Sequence, residues 1–184
     1  MHQTMFDAAF EFRLMYVEQW FPKGRKLQLL DIGSRDVGDG GTFRFLFDDT
    51  ERYEYVGVDM EPGDNVDVVV SDPYHFDELG ERTFDIILCG SCIEHSEFFW
   101  LLGSEIKRRL RPGGAVFICA PHIWPIHRHP VDCYRFNPDG MLALAKWIGL
   151  EEPFIRFRNN TPAESSLVYC DLTLIGHAPG KPHD

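Results

Sequence analysis

Between Pro121 and Pro138 the chain gathers groups able to move protons and hold polar ligands: Pro121-His122-Ile123-Trp124-Pro125-Ile126-His127-Arg128-His129-Pro130-Val131-Asp132-Cys133-Tyr134-Arg135-Phe136-Asn137-Pro138. An imidazole has a reference pKa of about 6.5 and can take a proton from a hydroxyl near neutrality. His127 or His129 is therefore the candidate general base, and the spacing does not choose between them. Asp132 is the candidate carboxylate that orients the ring, and Arg135 the donor that holds an anionic or polyhydroxyl acceptor. Trp124 and Tyr134 add stacking faces, and Arg128 a further fixed donor. The spacing His127-x-His129-x-x-Asp132 also offers N and O ligands for a divalent cation, but it supplies no fourth ligand and Pro130 constrains the loop, so no metal is assigned. So many polar groups are costly to bury without partners, which places the segment on the wall of a cleft.

A second set of candidates sits where apolar runs end. Leu29-Leu30-Asp31-Ile32-Gly33-Ser34-Arg35-Asp36-Val37-Gly38-Asp39-Gly40-Gly41-Thr42 runs from apolar residues through a carboxylate into a glycine-rich turn. Glycine permits positive φ and close backbone approach to a ligand. The spacing is not the dinucleotide fingerprint Gly-x-Gly-x-x-Gly, and Asp31 would repel a phosphate, so a nicotinamide-dependent oxidoreductase ranks low. A carboxylate there suits a ligand with a cationic amino group. Tyr55-Val56-Gly57-Val58-Asp59 is a second apolar run ending in an acid, as expected for a βαβ unit that presents Asp59 to both hydroxyls of a ribose.

Further along come Phe84-Asp85-Ile86-Ile87-Leu88-Cys89, Ile93-Glu94-His95, Glu105-Ile106-Lys107-Arg108-Arg109-Leu110-Arg111-Pro112-Gly113-Gly114 and Val116-Phe117-Ile118-Cys119-Ala120-Pro121. In this order the pieces resemble the class I S-adenosylmethionine-dependent methyltransferases over residues 27–150, most specifically in the Glu-His pair and the Leu-Arg-Pro-Gly-Gly turn. The loop after Pro121 is similar to that of small methyltransferases of glycan and secondary-metabolite pathways. The resemblance implies S-adenosyl-L-methionine as cofactor, with Asp31 and Gly33 at its methionine end, Asp59 on the ribose and Asp72 accepting from the adenine amine. It implies that sulfonium and acceptor meet beside Gly90 and Ser91. The loop departs from the family pattern after Gly33, where Ser34-Arg35-Asp36-Val37 replaces alternating glycines. Arg35 is left to pair with Asp36 or Asp39, or to reach the cofactor carboxylate. His95 is read first as cofactor wall and second as a base.

The elements that must position these groups follow from periodicity. Strands are predicted over 27–32, 55–59, 66–71, 84–89, 115–120, 154–158 and 167–175, and helices over 42–47, 97–110 and 138–148. The alternation implies an α/β, Rossmann-like, mostly parallel seven-stranded sheet with helices on both faces and an antiparallel final strand, joined to its neighbour by a polar turn over 159–164. An amphipathic helix over 4–21, in a leading segment 1–22, is expected to cover the sheet or lid the cofactor cleft. The methyltransferase domain is assigned to 23–177 and a flexible tail to 178–184.

With 184 residues and 44% apolar content the chain supports one core. A net charge of −11, from 18 basic and 29 acidic residues, opposes binding to nucleic acid or an anionic membrane. The basic group Lys107, Arg108, Arg109 and Arg111 is read as a favourable helix end. Five cysteines, an odd number, are read as reduced thiols; with no signal-peptide pattern and no long apolar run, a cytoplasmic location is expected. The expected partner is a saccharide or other small hydroxylated acceptor, to be O-methylated, and no oligomeric state is assigned. The alternative is a catalytically silent cofactor-binding partner of another enzyme, for which the leading aromatic helix would be the interface.

Overall fold

The structure is a computed structural model, and it describes residues 3–38, 41–159 and 168–182. Asp39 and Gly40, and the turn expected over 159–164 beyond its first residue, lie outside the described residues. Seven strands form one sheet: β1 (Leu27–Ile32), β2 (Tyr53–Asp59), β3 (Val68–Val69), β4 (Phe84–Gly90), β5 (Leu110–Ile123), β6 (Glu151–Asn159) and β7 (Cys170–His177). Their order is β3-β2-β1-β4-β5-β7-β6. The pairs from β3 to β5 are parallel, while β7 runs antiparallel to both β5 and β6. The expected mixed sheet is therefore present, with β7 placed between β5 and the edge strand β6.

β1 and β4 are buried along almost their whole length, which is why both read as mainly apolar instead of alternating. One face of the sheet is covered by α3 (Phe99–Arg109) and α4 (Pro138–Ile148), whose Leu102, Ile106, Met141, Leu144 and Ile148 pack on Ile87, Val116 and Ile118. Asn137 precedes Pro138 at the start of α4, and Gly149 closes it in the left-handed conformation. The other face is covered by the leading helix. α1 (Gln3–Phe12) passes through a π-helical turn, Arg13–Val17, into the single turn α2 (Glu18–Trp20). Its Met5, Ala8, Ala9 and Phe12 are buried against Leu29, Leu88 and Phe117. Met5 also reaches the cleft described below, so the segment both covers the sheet and borders the ligand space.

Several elements differ from expectation, among them β5, which starts at Leu110 and takes in the Leu-Arg-Pro-Gly-Gly stretch expected as a turn before it. The helix expected over 42–47 is a 3-10 turn, Phe43–Phe47, whose Phe43, Leu46 and Phe47 are buried. The chain has only five residues there before Asp48 and Asp49 turn it back toward β2, too few for stable α-helical propagation. The strand expected over 66–71 shortens to two residues; ahead of it the exposed Asp67 accepts from the Gly57 N–H at 2.8 Å through its side chain. Residues 178–182, expected as a free tail, lie against the Leu-Arg-Pro-Gly-Gly stretch, where Ala178 N–H donates to Gly114 and Gly113 N–H to Pro179.

The basic group at the end of α3 is structural. Glu105 is 2% exposed and accepts from Arg108 and Arg109, while Arg109, 1% exposed, donates to the carbonyls of Phe76, Gly80 and Arg82. Removing one partner of such a buried pair strands the other's charge. Glu105→Ala should therefore lower unfolding free energy by about 3–5 kcal/mol in urea titrations. A loss below about 1 kcal/mol would show that the pair contributes no more than a surface bridge.

Candidate active site

Strand order reverses between β1 and β4, so the connections leaving their carboxyl ends diverge and open a crevice. A cleft of about 810 Å³ lies there. Its walls include Asp31 and Gly33 at the end of β1, Asp59 at the end of β2, Gly90 and Ser91 at the end of β4, and His95, His127, Arg128 and His129 from the loops beyond β4 and β5.

Gly33 has φ 72°, and a Cβ there would meet the Cys92 thiol at 2.8 Å, so the turn requires glycine on two counts. Asp59 accepts from the backbone N–H groups of Arg35 (3.2 Å) and Glu61 (3.1 Å), which fixes the carboxylate at the cleft wall. Arg35 pairs with Glu61 at 2.5 Å, a partner outside the choices that Asp36, Asp39 and a cofactor carboxylate offered. Gly90 is small for a reason beyond ligand approach. A Cβ there would strike the Phe43 ring at 2.6 Å and the Met5 sulfur at 2.8 Å, the residues that bring the leading helix over the cleft.

Asp31 is 2% exposed and accepts from the Tyr55 hydroxyl. Burial pushes its carboxyl up to about 7, against the lowering effect of that hydrogen bond and of Arg44. Asp72, expected at the adenine amine, does not line the cleft. It is exposed and accepts from Tyr74 N–H at 2.7 Å, the self-closing turn that an Asp before Pro favours, while Val70, Pro73, Tyr74 and Phe76 supply the wall there.

The loop following β5 folds back over the short turn Ile93–His95, with Cys133 and Tyr134 N–H donating to the Glu94 carbonyl. It brings His95, His127 and His129 together, with ring centroids 4.9 Å (His95–His127), 5.7 Å (His95–His129) and 6.3 Å (His127–His129) apart. Asp132 does not serve mainly as the imidazole's partner. Its buried carboxylate takes two bonds from Arg135 (2.5 and 2.7 Å) and one from His127 N–H (2.7 Å), and lies 3.5 Å from His127 Nδ1. The Arg135 guanidinium holds the Asp132 carboxyl well below the usual carboxylate range.

Arg135 itself also donates to the carbonyls of Trp124 and Pro125, so its donors tie the loop together and do not line the cleft. Tyr134 packs on Phe99 and Phe136 and donates to Glu97, and Trp124 packs on Tyr169; neither lines the cleft. Of the four residues expected to hold the acceptor, Arg128 alone borders it.

Sequence reasoning passed over the condition of Glu94. Its side chain is fully buried, and neither oxygen has a hydrogen-bond partner among the described residues. Burial pushes its carboxyl up to about 8, with the negative charges of Asp171 and Asp132 acting in the same direction. An acid directly after Cys92-Ile93 is a weak sign of burial, but the loop that covers it lies some forty residues on.

A methyltransferase domain model matches residues 30–118, which span β1 to the middle of β5 and the Asp31, Asp59 and Gly90 walls of the cleft. The cleft-forming stretch of the chain is similar to a methyltransferase domain, and the sheet around it has the fold of S-adenosylmethionine-dependent methyltransferases. Solved structures of the same fold include the Burkholderia thailandensis 1,6-didemethyltoxoflavin N1-methyltransferase with bound 1,6-didemethyltoxoflavin and S-adenosylhomocysteine. That protein is 19% identical, with a TM-score of 0.64 over 95% of this chain and 78% of that one. The N-terminal domain of EvdMO1, in the presence of SAH and D-fucose, is 18% identical with a TM-score of 0.64 over 96% of this chain and 84% of that one. The CurJ carbon methyltransferase is 15% identical with a TM-score of 0.68, over 97% of this chain and 54% of that one. No curated protein sequence matches the chain.

Because Asp31 keeps its proton in the fold up to about 7 while an unfolded chain releases it near 3.8, the unfolded state binds fewer protons between those values. Stability contributed by this group is therefore present below pH 4 and lost as pH rises through about 7. Denaturant titrations across that window should show a shallower decline for Asp31→Asn than for the parent. Identical slopes would place the burial effect elsewhere.

Proposed function

We propose that this chain is a methyltransferase that O-methylates a saccharide or other small hydroxylated acceptor, with the methyl donor across the ends of β1, β2 and β4 and the acceptor against the histidine wall. The observation that carries the reading is the convergence of His95, His127 and His129 on one side of the cleft whose opposite side holds Asp31 and Asp59. Asp31, once deprotonated, suits the cationic amino group of the cofactor's methionine end, beside the Gly33 backbone. Asp59, with its two backbone donors already in place, has lone pairs left for ribose hydroxyls. Gly90 and Ser91 lie between these two regions, beside the transferable methyl group. The adenine lies against the Val70, Pro73 and Phe76 wall in this reading.

Methyl transfer is an in-line displacement in which the methyl carbon–sulfur bond breaks, a carbon–oxygen bond forms and a neutral thioether leaves. The sulfonium is already a good leaving group, so the protein's task is alignment and removal of the hydroxyl proton. His129 is the proposed proton acceptor. Its exposed imidazole borders the cleft, whereas His127 is tied through Nδ1 to the Pro125 carbonyl at 3.1 Å and turns Nε2 toward Glu94. The proton taken by His129 passes to water after the ether product leaves. Arg128, on the same rim, offers donors to further hydroxyls of the acceptor. The strongly acidic chain, at −11, favours a small uncharged polyhydroxyl acceptor over a nucleic acid, and the sugar printed with the EvdMO1 domain is in keeping with that class.

Calorimetry and turnover on a panel of glycan and metabolite acceptors test the two halves separately. Asp59→Ala should weaken binding of the methyl donor by about 1.5–3 kcal/mol through lost hydrogen bonds to a charged group. His129→Ala should lower turnover by roughly 10²–10⁴ with donor affinity nearly unchanged. Full activity of His129→Ala would remove it as the base, and methyl label appearing mainly in a nucleic-acid fraction would refute the acceptor class.

A further inference from the structure

The Glu94 carboxylate faces two imidazole nitrogens that are themselves hydrogen-bond acceptors. His95 Nδ1 lies 2.6 Å from the Val131 carbonyl, which can only accept, so its proton is on Nδ1 and Nε2 carries a lone pair. His127 Nδ1 is 3.1 Å from the Pro125 carbonyl and 3.5 Å from Asp132 Oδ2; Arg135 lies 3.5 Å from the same nitrogen, but the carbonyl is nearer and assigns the proton to Nδ1 here too. Both Nε2 atoms point at Glu94 Oε1, at 3.7 Å for His95 and 3.9 Å for His127. Three ligand atoms thus converge at separations too long for hydrogen bonds, and neither oxygen of the fully buried Glu94 carboxyl has a hydrogen-bond partner among the described residues. What such an arrangement lacks is a cation.

We propose that Glu94, His95 and His127 form a binding site for a divalent first-row transition metal ion. One ligand atom from each lies within 4.8 Å of the others. Tetrahedral Zn²⁺ with bonds of about 2.0–2.1 Å separates its ligands by about 3.3 Å, so closure needs side-chain shifts of well under a bond length at each ligand. Carbonyl acceptors on the outer ring nitrogen are the supporting contacts that metal-bound histidines require, because they fix the tautomer and the ring plane. Two imidazoles and one carboxylate match the donor sets of open-sided zinc and related sites, in which remaining positions are left for water or substrate. Here those positions face the cleft, since His95 and His127 both line it and Glu94 lies behind them. The ion has an entry path, and its inner side is closed by protein.

This site deepens the proposed function and its role rests on that reading. An ion at this place would draw an acceptor hydroxyl or vicinal diol beside His129 and lower the hydroxyl's pKa, as a bound metal does for water. Its occupancy does not depend on methyl transfer.

The test uses the untagged full chain, stripped by chelator and titrated with Co²⁺ and Zn²⁺ in the absence of methyl donor and acceptor. Expected are saturable Co²⁺ visible absorption at about one ion per chain, displacement by Zn²⁺, and a rise in melting temperature with Zn²⁺. Glu94→Gln and His127→Gln, checked for folding by circular dichroism, should each weaken Co²⁺ binding more than about tenfold. His122→Gln, whose ring is bonded to the Phe136 carbonyl and lies outside the cleft wall, should bind as the parent does. Absence of saturable binding by the parent, or parental affinity in either folded ligand variant, would overturn the site. Methyl-donor binding measured on the same stripped chain keeps the two ideas apart: a chain that binds the donor but no metal retains the methyltransferase reading and loses this one.

Discussion

The reversal of strand order between β1 and β4 is the constraint on which the rest of the structure depends. A parallel sheet buried on both faces leaves its polar chemistry nowhere to go except the ends of its strands. The reversal decides which ends, because only there do successive connections part instead of crowding together. Asp31, Asp59 and Gly90 occupy that place on three strands, two of them direct neighbours of β1 in register. The leading helix and the turn Phe43–Phe47 then fix the cleft's mouth, through Met5 and Phe43 packed where a Gly90 side chain would be.

Electrostatics divides the cleft into two unlike halves. On the β1 and β2 side, carboxyl groups are held by backbone donors or a tyrosine hydroxyl. On the β5 side the loop spends its one strong ion pair, Asp132 with Arg135, on its own shape. Beside that pair, His95 and His127 are set against a buried acid, Glu94, that has no hydrogen-bond partner among the described residues. The loop's conformation and the cleft's chemistry are thus coupled through a handful of backbone carbonyls, those of Val131 and Pro125 above all.

Much of the fold was legible because its strongest signals are local. β1 and β4 are mainly apolar on both faces, and Asn137-Pro138 and Gly149 mark the ends of α4 in sequence as clearly as in structure. Of the candidates named from sequence, those that a strand's end fixes, Asp31, Gly33 and Asp59, do line the cleft. Placement was not legible where a long-range contact decides it. Asp72 follows a strand-like run, yet β3 is only two residues long, and Asp72 closes its own turn instead. Trp124, Tyr134 and Arg135 carry the right chemistry for a sugar, but their contacts with Tyr169, Phe99 and Asp132 take them out of the cleft. The isolation of Glu94 appears only once the later loop lies over it, and no spacing rule encodes that burial.

The most direct test of this account is a crystal structure of the chain with the demethylated product S-adenosylhomocysteine. The account predicts ribose hydroxyls on Asp59, the methionine amino group beside Asp31, and the sulfur next to Gly90 and Ser91 with its open side toward His127 and His129. A product whose ribose lies away from Asp59, or whose sulfur faces away from the histidine wall, would contradict it.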